Sequence, residues 1–438
     1  MTKNTNSSGE NVLFGLPVMT GRWGFVLIGM IMNICMGTVY AWSVFRKPIT
    51  QLFSRDGIQV TAMQTLWPFM LFLGLFTIFM PISGRLVQRY SPRALSILGS
   101  VLVGAGWILS SYVASIDHLY VTYGIIAGIG VGMVYGLPIA VVARWFPDRK
   151  GLAVGITVLG FGVSALVTAP VAQALIQSQG VLQTFQTLGI AFTVILVALS
   201  MTLKLPPAGW QPANWKGAAA AASERNYTPK EMAKTTAGIG LWLCFIIGSV
   251  AGLMAIGIAS NVGQEIIKLD TKTATALVSL FAVFNGGGRP IFGWLTDKLN
   301  PAKAAALSLA LVVLASAAML MFAGEGTVAV YVVSFCAFWM GLGSWLAIAP
   351  TSTLTFFGPK NYAPNYGWMF SAYGVGAIVA GLVAGNAKDV FGSYMYAFWV
   401  SGGLAAVGIV LALTMMKKPG EDRAAGNKSV ADAYRKAA

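Results

Sequence analysis

Arg289 is the residue whose type and setting point most directly to chemistry. It sits in the run Asn285-Gly286-Gly287-Gly288-Arg289-Pro290, inside an apolar stretch that ends in Asp297 and Lys298. Eight residues of helix before Asp297 amount to about 12 Å, near the middle of a bilayer if the stretch crosses one. A guanidinium at that depth costs ~2.5–3.5 kcal/mol on insertion scales, so it must face a partner or a water-filled cavity. The 14 Asp and Glu all fall in loops, tails or the ends of apolar stretches, which leaves no carboxylate of the chain at that level. An anionic substrate is therefore the expected partner, and a carboxylate suits the planar two-pronged donor of an arginine. The structural alternative is an arginine bonded to backbone carbonyls. Asn285, four residues earlier, shares the helix face of Arg289 and is placed to bond the arginine or a substrate. Three glycines and a proline weaken the helix there and permit a bend or a close helix contact, although plain helix packing would use the same glycines.

Two tyrosines reach a similar depth. Tyr373 lies eight residues beyond Asn365 and Tyr135 nine before Arg144, each about 12–14 Å from the same end. Interface anchors belong at the headgroups, so these two are expected to contribute to the site. Tyr40, Trp345 and Trp368 are further candidates for lining it, as are Trp42 and Trp339, but all five would also suit an aromatic belt. Little else offers chemistry. A single histidine, His118, allows neither a catalytic triad nor an HExxH metal site, and no GxxxxGK[ST] loop signals an ATP motor. The three cysteines, Cys35, Cys244 and Cys336, lie in apolar runs and read as core residues rather than disulfides or metal ligands. The chain is expected not to be an enzyme and to need no metal or cofactor.

These side chains need a scaffold, and composition says which kind. Only 10% of the residues are charged, 56% are apolar, and the mean hydropathy is +0.72; a soluble domain carries roughly a quarter charged residues. Apolar runs long enough to cross ~30 Å of hydrocarbon occur near 22–45, 60–87, 94–115, 119–143, 151–178, 183–204, 237–262, 272–298, 302–323, 326–352, 365–389 and 394–416. They predict an all-α integral membrane protein of twelve helices in two six-helix bundles, 22–204 and 237–416. Around these lie an N-terminal segment (1–21), a polar linker (205–236) and a basic tail (417–438). The halves echo one another: Gly84-Arg85-Leu86 through Pro92 and Gly293-Trp294-Leu295 through Pro301 share Gly-x-Leu, a basic sixth residue and a final proline, the mark of a carrier built from two related bundles.

Most of the 29 Lys and Arg fall on the side of the termini and the linker, whereas Arg46, Lys47, Arg55, Lys268, Lys272 and Lys388 fall on the other and Arg289 on neither. The positive-inside bias therefore places both termini in the cytoplasm, with a bacterial inner membrane as the expected location. Topology also accounts for most of the net charge of +15, which is no sign of nucleic-acid binding.

The sequence resembles the major facilitator superfamily, and within it the oxalate/formate antiporter family, related to the monocarboxylate transporters. The resemblance is carried by Gly21-Arg22-Trp23, Val39-Tyr40-Ala41-Trp42, Arg144-Trp145-Phe146-Pro147-Asp148-Arg149-Lys150-Gly151, the Arg289 run and Asn365-Tyr366-Gly367. It implies the major facilitator fold and a helix-8 arginine that binds the substrate carboxylate. Three departures stand out. The oxalate exchanger that typifies the family has a lysine at the position of Tyr373, animal monocarboxylate transporters have an aspartate at that of Asn285, and the superfamily usually has an aspartate where this chain has Gln88. One cation suits a monoanion better than a dianion. The expectation is thus a secondary active carrier of a monocarboxylate such as lactate, pyruvate or formate. It would work by alternating access with proton coupling or anion exchange, and as a monomer. Oxalate:formate antiport and a nutrient-sensing transceptor are the alternatives.

Overall fold

The computed structural model describes residues 12–54, 59–87, 89–207, 210–212 and 226–419. Arg55, Gln88, residues 208–209 and 213–225 of the 205–236 linker and the tail beyond 419 lie outside the described residues, and so do the expectations placed on them. Ten stretches qualify as membrane spans on length and apolar composition. One of them, Lys150–Thr202, has 53 residues and is two spans, because Gly180 turns the chain at φ 82°, ψ 168°, a backbone region open mainly to glycine. Thr271–Leu299 brings the number of helices to twelve, its apolar character diluted by Asn285 and Arg289.

In chain order the helices are α1 (Val18–Phe53), α2 (Ala62–Leu86), α3 (Pro92–Leu109), α4 (Ile116–Trp145), α5 (150–179), α6 (181–202), α7 (Thr236–Glu265), α8 (Thr271–Leu299), α9 (Pro301–Phe322), α10 (Val328–Phe357), α11 (Tyr362–Asp389) and α12 (Met395–Met415). A two-stranded antiparallel ribbon, β1 (Val12–Leu13) with β2 (Leu16–Pro17), precedes α1. Helix starts use local chemistry for their unpaired N–H groups: Thr61 and Gln64 form a reciprocal cap on α2, while Ser91, Thr235 and Asp270 cap α3, α7 and α8.

Helices α1–α6 form one bundle and α7–α12 the other. The bundles meet where α2 packs on α11, α5 on α8 and α1 on α7. Burial sorts the helices by place: 78% of the most apolar part of α7 is buried against 28% for α12, so α7 lines the centre and α12 faces lipid. Leu314, Met321 and Val410 are exposed on outer helices, as a hydrocarbon solvent allows.

The first helix departs from its predicted bounds. It continues to Phe53, eight residues past the expected end, so Arg46 and Lys47 belong to α1 and not to an external loop. The chain remains helical there because hydrogen bonds to neutral oxygens receive the Arg46 guanidinium. In consequence Tyr40 lies well inside α1 and not near its outer end.

At the end of the bundle that holds the termini, Arg22 donates to both carboxylate oxygens of Asp148 (2.7 and 2.8 Å) and to the Trp145 carbonyl (3.0 Å), and its guanidinium lies 4.4 Å from the centre of the Phe146 ring. The start of α1 is thereby fastened to the α4–α5 connection, which gives Gly21-Arg22-Trp23 and the Arg-Trp-Phe-Pro-Asp run one shared structural role. Hydrogen bonds from Arg22 hold the Asp148 carboxyl below the usual carboxylate range. A depressed pKa adds stability that is present above the unfolded carboxyl value of ~3.9 and is lost as pH falls through the folded one. We expect Asp148→Asn to lower the thermal midpoint of the purified protein at pH 7 by roughly 5 °C and to lose less further stability on acidification than the wild type does. Identical acid limbs in the two proteins would contradict this assignment.

Candidate substrate site

The site lies where helices of both bundles break their regular winding. α1 tightens to a 3-10 turn at Gly37–Ala41, which contains Tyr40. α5 breaks at Val163, directly after Gly162, with φ −91°, ψ 3°. α11 breaks at Phe370, between Tyr362–Met369 and Ser371–Asp389. Such interruptions free backbone groups and redirect side chains, and in membrane proteins they occur where protein or a cavity surrounds them. Glycines bring the pieces together around α8. A methyl group at Gly37 would come 2.6 Å from the Phe161 carbonyl, one at Gly288 would come 2.6 Å from the Met340 carbonyl, and one at Gly343 would collide with the Asn285 carbonyl.

Arg289 is 8% exposed. Its Nη1 donates to the Val158 carbonyl of the opposite bundle (2.7 Å) and its Nη2 approaches the Asn285 Oδ1 (3.4 Å). Nε has no hydrogen-bond partner among the described residues. Asn285 is fixed in turn by donating from Nδ2 to the Trp339 carbonyl (3.2 Å). No carboxylate pairs with Arg289 among the described residues. Its partners are neutral oxygens, which occupy its donors without neutralising its charge.

Opposite the guanidinium stands a mixed cage of Tyr40, Phe76, Tyr135 and Phe161 from the first bundle with Leu346, Phe370 and Tyr373 from the second. The Tyr40 and Tyr373 hydroxyls are 2.7 Å apart and join the bundles. The Tyr135 ring meets Phe76 and Phe161 edge-on at 5.0 and 5.4 Å. Phe370 stacks on Tyr373 at 5.2 Å. The space left inside is ≈ 10 Å³, about one water molecule's worth, so any larger occupant requires the cage to part. The arrangement offers one positive charge, three phenols and an apolar wall, the complement of a small organic anion with one charged end.

Of the residues proposed from the sequence, Arg289, Tyr373, Tyr135 and Tyr40 share this cage and Asn285 flanks it. Trp345 and Trp368 lie elsewhere. Trp345 is fully buried within the second bundle, over Gly248 and stacked on Phe245 at 6.1 Å; its neighbour Leu346, a helical step around α10, takes the cage position. Trp368 rests beside Trp242 at 6.0 Å, because the break at Phe370 turns that ring inward instead. Trp42 donates to the Thr65 carbonyl and stacks on Tyr123, and Trp339 packs at 6.4 Å from Tyr40. Sequence reasoning missed Phe76, Phe161, Leu346 and Phe370. Among so many apolar residues none carries a local mark, apart from Phe161 beside Gly160 and Gly162.

Comparison with known proteins agrees with this architecture. Residues 23–362 match the model of the Major Facilitator Superfamily. The oxalate:formate antiporter of Oxalobacter formigenes is 27% identical over 92% of this chain and 93% of its own length. Monocarboxylate transporter 12 of Rattus norvegicus is 26% identical over 87% of this chain and 83% of its own. Among solved structures, a bacterial homolog of the human lysosomal transporter Spinster, in an inward-facing and unoccupied conformation, superposes with a TM-score of 0.64 at 14% identity, over 90% of this chain and 94% of that one.

Gly162 offers a test of the cage that leaves Arg289 in place. A methyl group there would lie 2.9 Å from the Asn285 Oδ1 and 3.1 Å from the Arg289 Nε, whereas Gly155 faces open space. We expect Gly162→Ala to weaken anion binding about tenfold, equivalent to ~1.4 kcal/mol, and Gly155→Ala to leave it unchanged, as measured by isothermal titration in detergent. Equal affinities in the two variants would argue against Arg289 and Asn285 as the binding groups.

Proposed function

The chain belongs to the Major Facilitator Superfamily, and on that premise we propose that it is a secondary active transporter of small monocarboxylates, with lactate, pyruvate and formate as the leading substrates. The observation that carries this reading is the Arg289 guanidinium, buried between the bundles with neutral partners only and facing a cage of phenols and apolar groups. A carboxylate entering the cage exchanges contacts with neutral oxygens for a two-pronged pair that also balances the charge. The phenols of Tyr40, Tyr135 and Tyr373 supply donors for its remaining oxygens, and the aromatic wall accepts a short carbon chain. The two bundles then rock about the loaded site so that it faces each side of the membrane in turn.

Arg289 also sets the cost of the empty return step. Closed without an anion, the guanidinium retains the Val158 and Asn285 oxygens, which satisfy donors but leave the charge uncompensated. Exchange of one anion for another is accordingly faster than net movement, unless a proton accompanies the anion. The cage contains no carboxylate among the described residues, so a coupled proton travels with the substrate as its acid or by a route outside the cage. Oxalate:formate exchange is the second reading. It draws on the name and near-complete coverage of the Oxalobacter relative, and is weakened by the single charge in the cage, since a dianion in low dielectric calls for two positive partners. The positive-inside bias supports cytoplasmic termini in an inner membrane.

Uptake into proteoliposomes across lactate, pyruvate, formate, acetate and oxalate, at pH 6 and pH 7.5, tests the reading. Preference for a monocarboxylate is expected, rising at the lower external pH if a proton is carried, with Arg289→Gln reducing uptake at least 100-fold in a protein that still inserts and purifies as a monodisperse peak. Oxalate preference with strict dependence on internal anion would favour the exchanger, and undiminished uptake by Arg289→Gln would remove the site.

A further inference from the structure

A further cation is buried outside the cage, about 9 Å along α1 from Tyr40. Arg46, five residues beyond the 3-10 segment of α1, is 2% exposed, and among the described residues it pairs with no carboxylate. Its own bundle supplies the Thr65 hydroxyl to Nε (2.9 Å) and the Ala62 carbonyl to Nη2 (3.2 Å). The opposite bundle supplies the Gly257 carbonyl and the Asn261 Oδ1 to Nη1 (both 3.2 Å) and the Tyr394 hydroxyl to Nη2 (2.9 Å). Beside it the Asp389 carboxylate reaches across from α11 and accepts from the Ala62 and Met63 N–H groups at the start of α2, both at 2.7 Å. That is a charge-assisted cap on the positive end of a helix dipole, provided by the other half of the molecule.

The contacts are one-sided. Every hydrogen bond that joins the bundles among the described residues lies at the level of the cage or toward the end opposite the termini. At the termini end the meeting of α2 and α11 is apolar, with Pro81 against Gly367, where an added methyl would sit 3.2 Å away. The chemistry of the polar end suits repeated use. Arg46 holds neutral oxygens that water can replace when the bundles part, whereas a buried carboxylate pair would be costlier to separate. We propose that Arg46 and Asp389 form a latch that keeps the end opposite the termini shut, and that its release opens the path to the cage from that side.

Pulsed electron–electron distance measurements test the latch without reference to any substrate. Spin labels are placed at Gln51→Cys and Lys268→Cys, exposed positions on opposite bundles at that end, in a chain whose Cys35, Cys244 and Cys336 are serine. The parent is expected to give a single short-distance peak, Arg46→Met a new longer-distance peak, and Arg46→Lys an intermediate distribution. Asp389→Asn, which retains an oxygen for one N–H but loses the charge, should shift the distribution in the same direction. It decides the matter if Arg46→Met does not fold. Unchanged distances in Arg46→Met and Asp389→Asn, each running as a monodisperse peak, would overturn the latch and leave the assignment of the cage untouched.

Discussion

A guanidinium held between two bundles with neutral partners only is the constraint from which most of the architecture around it follows. At the depth of Arg289 hydration cannot be recovered from solvent, so each N–H must find an oxygen within the protein or on a ligand. The guanidinium can reach the Val158 carbonyl because Gly162, one turn further along α5, carries no side chain where Arg289 lies. Asn285 can approach because α10 presents Gly343 at the contact. The glycine run before Arg289 is therefore only one part of a wider set of close approaches, drawn from four helices, that together keep a charged group in a low-dielectric place.

On the proposed function, the surrounding cage is what would let such a group discriminate among anions. Tyr40, Tyr135 and Tyr373 add dipoles without adding charge, while Phe76, Phe161, Phe370 and Leu346 exclude water and strengthen whatever electrostatic interaction occurs inside. One full charge in such a setting compensates one carboxylate. A second carboxylate would be left to phenols, which donate hydrogen bonds but do not balance charge.

The two ends of the molecule solve the closure problem differently. The Arg46 and Asp389 contacts use charge against neutral dipoles, directional interactions that fix one arrangement of the bundles and leave few intermediate ones. The Pro81 and Gly367 contact relies on shape alone and tolerates sliding. An interface that is polar at one end and apolar at the other gives two bundles a defined pivot direction, which a uniformly greasy interface between helices in lipid would not provide.

The number of helices, their grouping into halves, and the presence of a deep cation without a carboxylate partner were all legible in the sequence, because each depends on local quantities: the length of an apolar run, the position of a Gly or Pro, the depth of a charge along a helix. Arg289, Tyr135 and Tyr373 could be placed at one level by counting residues at a fixed rise. Helix ends were less legible where a charge is satisfied at a distance. Arg46 reads as a loop residue until Gly257, Asn261 and Tyr394 are brought to it across more than 200 residues of chain. Rotation about a helix axis was not legible at all in an almost wholly apolar chain, so Trp345 and Trp368 could not be distinguished beforehand from Leu346 and Phe370. Sequence determined which groups the membrane would have to accommodate. Only the tertiary structure, by breaking α1, α5 and α11 at one level and bringing two bundles face to face, decided which side chains meet Arg289 and at which end the halves are fastened by hydrogen bonds.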